Sequence, residues 1–239
     1  MNISDKIILI TGASRGIGRA LVEEALKRGA KKVYAGTRRT FTHADPRVIP
    51  LMLDVTDPEQ IQQAVDKVTS LDILINNAGI AYYDDLSDRT MIDKHLAVNL
   101  FGTYALSRAF LPALVRSKGA IVNNLSVVAL ASLPPIASYS ISKAAAFSLT
   151  QSLRAFLAGQ GVRVHAVLTG PTDTDMTKDF DIPKSAPEVI AQGVFNGVQK
   201  EVEDIFPDPM SGSVEDSWLG SAMKQMERQN ASLVAVQNN

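Results

Sequence analysis

The chain has 239 residues, 46% of them hydrophobic and 21% charged, with a formal net charge of -1 and no cysteine. These values predict a single globular domain over residues 1–239 and exclude disulfides and thiolate catalysis. They also remove the basic surface that nucleic-acid binding requires. The three histidines, His43, His95 and His165, lack metal-ligand spacing, so we predict no metal site.

Residues 119–142 carry no charge and are long enough to suggest a membrane span. Their asparagines, Ser126 and two prolines would place polar groups in hydrocarbon, so a buried strand followed by a loop fits better. Residues 1–6 lead directly into a strand-length apolar run, without the long apolar region of a signal peptide. We therefore expect a cytoplasmic protein with no membrane partner.

Short apolar runs alternate with helical patterns along the chain, which predicts a three-layer, doubly wound α/β fold of about seven parallel strands. The strands are expected at residues 6–11, 31–36, 48–53, 72–75, 120–125, 162–168 and, at an edge, 204–207. Helices are expected at residues 15–28, 58–69, 88–115, 139–157, 188–198 and 214–228.

Three connecting segments carry further expectations. Residues 37–47 are about the minimum for a parallel crossover, so the helix between the second and third strands should be reduced to a turn or a loop. Residues 175–187, with Pro183 and Pro187, suit a mobile lid over a substrate. Residues 229–239 should form a loose tail.

A glycine-rich turn follows the first strand, with Gly12, Gly16 and Gly18 placed where a pyrophosphate could approach the amide groups of the next helix. The second strand ends at Thr37-Arg38-Arg39, which offers two guanidiniums for a 2′-phosphate and no carboxylate for a ribose 2′-hydroxyl. This pattern favours NADP(H) over NAD(H). A solvated basic turn remains the alternative.

Tyr139 and Lys143 are one helical turn apart and so share a helix face. A neighbouring ammonium is expected to lower the pKa of the phenol, which would make Tyr139 a general acid or base. Ser126 follows an apolar strand, at the carboxyl end where open α/β sheets bind ligands. A Tyr and a Lys at this spacing also occur by chance on many helices, so the pair alone does not define a site.

Together, these motifs resemble the short-chain dehydrogenase/reductase family over about residues 6–176. The shared features are Gly-x-x-x-Gly-x-Gly from Gly12, Asn-Asn-Ala-Gly at residues 76–79, and Ser126 followed by Tyr139-x-x-x-Lys143. The resemblance implies a Rossmann-type fold and an NADP-dependent oxidoreductase acting on a small carbonyl or alcohol. It assigns catalytic roles to Ser126, Tyr139, Lys143 and Asn99, the last holding a water linked to the lysine.

The same resemblance implies the cofactor contacts. They come from Gly12, Ser14, Arg15, Gly16, Ile17, Gly18, Thr37, Arg38, Asp54, Val55, Asn77, Ala78, Gly79, Tyr139, Lys143, Gly170, Thr172 and Thr174. Asp54 would meet the adenine amino group, although a helix cap is an alternative for it. Thr169 stands where the family has proline, which should leave the backbone there less constrained.

Two other classes of protein remain open: a sensor that binds NADP without catalysis, and, less favoured, a methyltransferase on a similar fold. The substrate pocket is expected to be largely apolar, with Tyr82, Tyr83, Leu133 and the lid among its walls; neither the substrate nor the direction follows from the sequence. Apolar positions beyond the core face of two helices predict a homodimer or homotetramer. These positions include Phe101, Tyr104, Leu106, Phe110 and residues 144–147.

Overall fold

The structure, a computed structural model, describes residues 1–237. Within them, seven parallel strands form one sheet in the order β3-β2-β1-β4-β5-β6-β7, which confirms the predicted fold. The strands are β1 Ile7–Thr11, β2 Lys32–Thr37, β3 Val48–Met52, β4 Ile73–Asn76, β5 Ala120–Asn124, β6 Arg163–Val167 and β7 Asp204–Ile205.

Helices cover both faces of this sheet because alternate strand residues bury opposite sides. Ile8 and Ile10 pack with α1 and α6, whereas Leu9 packs with α2, α4 and α5. The helices are α1 Gly16–Lys27, α2 Pro58–Lys67, α3 Arg89–His95, α4 Thr103–Ser117, α5 Ala137–Ala158, α6 Pro187–Gln199, α7 Pro209–Gly212, α8 Glu215–Leu219 and α9 Ala222–Gln237.

The connection between β2 and β3 contains no helix among residues 38–47, as the short crossover predicted. Arg47 anchors this loop to α1, where its Nη1 donates to the carbonyls of Leu26 and Ala30 at 3.3 Å each. The strand that follows, β3, is an edge of the sheet, and its exposed Pro50 pairs in register with Ala35. The β3 edge of the sheet therefore lacks the helix that a longer crossover would place beside it.

The helix expected at residues 88–115 is continuous but not uniform, because Leu96–Gly102 is π-helical between α3 and α4. The span Arg89–Ser117 is long and apolar enough to cross a membrane by length and composition, with a mean hydropathy of 1.2. Leu106, Phe110 and Leu114 of this span are instead buried against the sheet. The core helix of a soluble protein passes the same test.

The expected oligomer surface is smaller than the sequence suggested. Leu106, Phe110 and Phe147 are buried in the core of the subunit, as is Ala146. Phe101 and Tyr104 remain 59% and 48% exposed. The helical period of about 3.6 residues turns the buried side chains toward the sheet and leaves Phe101 and Tyr104 on the outer face.

The predicted loose tail is wrong within the described residues, because α9 runs to Gln237; residues 238–239 lie outside them. Ion pairs hold α9 in place. Lys224, which is fully buried, contacts Asp204 at 2.7 Å, Glu227 at 2.9 Å and Glu203 at 3.1 Å. Arg154 of α5 pairs with the same Asp204 at 2.7 Å, so α9, α5 and β7 share one buried charge cluster.

Candidate active site

Polar side chains join the carboxyl ends of the central strands. Asn76 Nδ2 donates to Asn123 Oδ1 at 2.9 Å, linking β4 to β5. Asn77 Nδ2 donates to the Thr11 carbonyl at 2.9 Å, and the Thr11 hydroxyl accepts the N–H groups of residues 77 and 78. These bonds fix the ends of β1, β4 and β5 relative to one another, and the other site residues lie next to these ends.

Tyr139 lies in the first turn of α5, the helix that carries both members of the Tyr-Lys pair. Asp84 caps this helix from a separate loop, since its carboxylate accepts the Ser138 N–H at 3.1 Å and the Ser138 hydroxyl at 2.8 Å. The buried His95 ring lies 6.4 Å from the Tyr139 ring, edge-on. The position of the phenol thus depends on two segments outside α5, the loop that carries Asp84 and the helix that carries His95.

Ser126 is placed at the end of β5, as expected from the strand pattern. Its hydroxyl donates to the Thr169 carbonyl at 3.2 Å and accepts the Val128 N–H at 3.3 Å, and it lies close enough to Tyr139 to lower the pKa of the phenol. Ser126 therefore stands directly beside the reactive position of the phenol.

The predicted lowering of the Tyr139 pKa is wrong. Burial raises the pKa of Tyr139 to about 12, an effect that its hydrogen bond with Ser126 only partly opposes. Burial also lowers the pKa of Lys143 to about 8. The Lys143 Nζ lies 5.5 Å from the phenol ring centroid and donates to the Asn124 carbonyl at 2.7 Å. Desolvation outweighs the charge of the neighbour here.

Asn99 sits in the π-helical segment, and its side chain is fully engaged. Its amide exchanges two bonds with the backbone of Ile80, each of 3.0 Å, and its Nδ2 donates to the Ser142 hydroxyl at 2.9 Å. A Cβ at Gly79 would lie 3.2 Å from Asn99 Oδ1 and 3.8 Å from Lys143 Nζ. Asn99 thus joins the loop after β4 to α5, close to the ammonium.

A cleft of about 700 Å³ opens at the carboxyl ends of β1, β2 and β4 and reaches Tyr139 and Lys143. It brings together most of the residues expected to contact the cofactor. The ones that line it are Gly12, Ser14, Arg15, Gly16, Ile17, Gly18, Thr37, Arg38, Asp54, Val55, Asn77, Ala78, Gly79, Tyr139, Lys143 and Thr174.

The glycine-rich turn fits a dinucleotide because side chains would block it. Gly12 has φ +66°, and a Cβ there would lie 3.0 Å from Ala78 Cα. A Cβ at Gly18 would lie 2.1 Å from the Gly12 carbonyl oxygen, so only glycine lets α1 start this close to β1. The first turn of α1 has no acidic residue, which leaves its N-terminus open to a phosphate.

The adenosine end of the cleft is basic. Arg38 and Arg39 line it and have no ion-pair partner among residues 1–237. Arg15 instead pairs with Asp175, in the segment that follows β6, at 2.5 Å. The residues present therefore fit a cofactor with a 2′-phosphate, with two free guanidiniums where that group would lie.

Two further adenosine-side residues are partly engaged within the protein. The Thr37 hydroxyl donates to the Arg39 carbonyl at 2.7 Å, which shapes the basic turn. Asp54 accepts two bonds from Thr56 through one oxygen, Oδ1. The cap of α2 is Asp57, so the helix-cap alternative for Asp54 does not apply.

The end of β6 differs from expectation. The Thr169 hydroxyl donates to the Leu125 carbonyl at 3.0 Å, so the residue in place of proline ties β6 to β5 rather than loosening it. Gly170 and Thr172 do not line the cleft: the Gly170 N–H donates to Asp208 at 2.8 Å, and Thr172 is buried and bridged to Ser185. Thr169 and Asp173 line the cleft instead.

The sequence analysis missed three residues that organise the site. Asn124 supplies the carbonyl that holds Lys143, His95 packs near Tyr139, and Asp84 caps α5. Asn124 could have been predicted, because it is a second asparagine at the end of an apolar strand. Asp84 and His95 could not, because they are distant in sequence from the residues that they contact.

Comparison with known proteins identifies the family. The family model described as short chain dehydrogenase matches residues 6–184. The 3-oxoacyl-(acyl-carrier-protein) reductase FabG of Escherichia coli (strain K12) is 36% identical over 191 residues, which cover 74% of this chain and 78% of that protein. The chain therefore belongs to the short-chain dehydrogenases, which are nicotinamide-dependent oxidoreductases.

Solved structures agree with this family. A short chain dehydrogenase from Burkholderia cenocepacia J2315, in complex with NADP, is 36% identical with a TM-score of 0.88, over 96% of this chain and 98% of that one. A 3-ketoacyl-(acyl-carrier-protein) reductase from Brucella melitensis, complexed with NADH, is 23% identical with a TM-score of 0.78, over 86% and 98%. The second likeness extends to the fold alone.

Proposed function

We propose that this protein is an NADPH-dependent reductase of small carbonyl compounds, with Tyr139 as the proton donor. The observation that carries the proposal is geometric: Tyr139 and Lys143 lie at one end of the cleft, with Ser126 beside the phenol. Burial also raises the pKa of Tyr139 to about 12, which keeps the phenol protonated at physiological pH. A neutral phenol can donate a proton to an oxygen that gains charge. The reverse oxidation would begin from a phenolate, which this burial disfavours.

In the proposed reduction each site residue has a separate role. Bound NADPH would supply a hydride to the carbonyl carbon. The electron pair of the C=O double bond then moves to oxygen, to which Tyr139 donates its proton. Ser126 orients that oxygen by a hydrogen bond, and Lys143, held by the Asn124 carbonyl at 2.7 Å, places a positive charge near the phenol. Asn99 positions the loop that packs against this ammonium.

The proposed cofactor preference rests on the free guanidiniums of Arg38 and Arg39, with Arg15 as a further cation near the glycine-rich turn. The alternative function, an NADP-binding sensor, has no use for a phenol and an ammonium at one end of the cleft with a serine hydroxyl beside the phenol. We also propose a cytoplasmic homo-oligomer whose contact includes Phe101 and Tyr104, both exposed on one helix. Light scattering that gave only a 25.7 kDa monomer would contradict the oligomer.

The test is NADPH oxidation, followed by absorbance, with a panel of ketones and aldehydes. Wild-type protein should consume NADPH, and Tyr139→Phe should lose most turnover, since only the proton-donating oxygen is removed. NADPH binding, measured by fluorescence, should be nearly the same in both. Ordinary turnover by the variant would reject the mechanism, and NADPH binding without turnover in the wild type would favour the sensor.

A further inference from the structure

The segment after β6 crosses the cleft and is held at both sides. At one side, Asp175 pairs with Arg15 of the glycine-rich turn at 2.5 Å. At the other, Phe180 packs on Tyr83, with ring centroids 5.1 Å apart and an interplanar angle of 31°. Tyr83 directly precedes Asp84, which is bonded to the neighbour of Tyr139. The aromatic pair therefore links this segment to the loop beside Tyr139, on the side of the cleft where the proposed function places the substrate.

Further rings connect this loop to Tyr139. The exposed Tyr82 ring lies 5.6 Å from the His95 ring, which lies 6.4 Å from the Tyr139 ring. His95 is fully buried, and its Nε2 accepts the Tyr82 N–H at 3.2 Å, which fixes the loop that carries both tyrosines. Exposed rings on this loop suit a flat, apolar group better than a flexible polar one.

The two segments that carry Tyr83 and Phe180 are acidic. Residues 81–88 and 171–188, which we call the rim, contain eight carboxylates and two lysines, although Asp173, Asp175 and Glu188 among them line the cofactor cleft. Asp85, Asp179 and Asp181 are exposed there. An anionic substrate, or one presented by an acidic protein, would meet like charges at this rim and would approach more slowly.

From the aromatic pair and the acidic rim together, we infer that the substrate is a small ketone without negative charge, whose flat apolar group packs against Tyr83 and Phe180. The inference rests on the proposed function and narrows it to a substrate class. Acyl thioesters on coenzyme A or on an acidic carrier protein fall outside this class because their carriers are anionic.

The experiment compares substrates that differ in one property. Acetophenone and octan-2-one have the same number of carbons, but only the first has a ring; acetoacetate and acetoacetyl-coenzyme A add negative charge. Wild-type kcat/KM, from NADPH absorbance, should be roughly tenfold higher for acetophenone than for octan-2-one, and lowest for the two anions.

Two variants of Phe180 distinguish the effect of its flat ring from the effect of its apolar volume. Phe180→Ala should lower kcat/KM for acetophenone by roughly 3- to 10-fold and leave octan-2-one within about twofold. Phe180→Leu restores apolar volume but not the flat ring, so the ratio of the two ketones should stay low. Met226→Ala, which removes an exposed apolar side chain of α9, is the matched control and should leave the ratio unchanged.

A separate double variant tests the effect of the negative charge of the rim on anionic substrates. Asp179→Asn combined with Asp181→Asn should raise kcat/KM for acetoacetate and leave acetophenone unchanged, and added salt should act in the same direction. An equal or higher wild-type kcat/KM for octan-2-one or for acetoacetyl-coenzyme A would overturn the inference while the reductase function stands. If wild-type protein consumed NADPH with no carbonyl at all, the function would fail and the inference with it.

Discussion

Asp84 binds both the backbone N–H and the hydroxyl of Ser138, at 3.1 Å and 2.8 Å, and thereby caps a helix to which it does not belong. Helix α5 has no side-chain cap of its own, because its N-cap residue is Ile136. The bond pair connects the loop after β4 to the residue immediately before Tyr139. The position of the phenol therefore depends on a carboxylate outside the catalytic motif.

Replacing Asp84 should uncouple the position of Tyr139 from the rest of the site. Asp84→Ala should cost about 1 kcal/mol of unfolding free energy, as the loss of a helix cap does, and it should lower kcat more than it raises KM for NADPH. Thermal denaturation and steady-state kinetics measure the two effects. Asp85→Ala is the control, since Asp85 bonds only to Ser87 and caps no helix. Equal kinetics in the two variants would contradict the positioning role.

The pH dependence of reduction should report Lys143 rather than Tyr139. The pKa of Lys143 is about 8 and that of Tyr139 about 12, so the ammonium loses its proton first as the pH rises. Reductive kcat/KM should therefore fall with a midpoint near pH 8, while the phenol remains protonated.

Lys143→Arg tests this assignment because a guanidinium stays charged over the whole range. Whatever activity the variant retains should lose the fall near pH 8. Lys178→Arg, a change in the exposed lid, should keep the wild-type profile. An unaltered profile in Lys143→Arg would mean that another group titrates.

The choice of cofactor should depend on Arg38. A hydrogen bond to a charged group is worth about 1.5 to 3 kcal/mol, so Arg38→Ala should weaken NADPH binding by roughly 10- to 150-fold and hardly change NADH. Arg15→Ala should act more mildly, since Asp175 already engages that guanidinium. Dissociation constants for both cofactors, with the exposed Arg116→Ala as control, provide the measurement. A wild-type preference for NADH would reject the assignment.

The buried charge cluster should make the last helix essential to stability. Lys224→Met leaves Asp204 and Glu227 without their central cation, and breaking such a buried cluster costs about 3 to 5 kcal/mol. The melting temperature should fall accordingly. Lys200→Met, an exposed change, should have almost no effect, and Lys224→Arg should recover part of the loss. A wild-type melting temperature in Lys224→Met would show that the cluster contributes no net stability.

The order of strands and helices could be predicted because each element has a strong local pattern. The proximity of Tyr139 and Lys143, and the place of Ser126 at the end of a strand, could likewise be predicted from their spacing. Three properties depend on tertiary contacts and were not. Burial reversed the expected pKa shift of Tyr139, a hydroxyl bond made Thr169 a tie between strands, and ion pairs with distant residues kept the final segment helical.

Strand β3 is an edge of the sheet, and the exposed Pro50 lies at its centre. A proline has no N–H to offer an incoming strand, so the sheet cannot be extended in register at this edge. The opposite edge, β7, has only two residues and offers little to pair with. Another molecule is thus denied a backbone template at either end, which protects the sheet from aggregation and leaves association to side-chain contacts between helices.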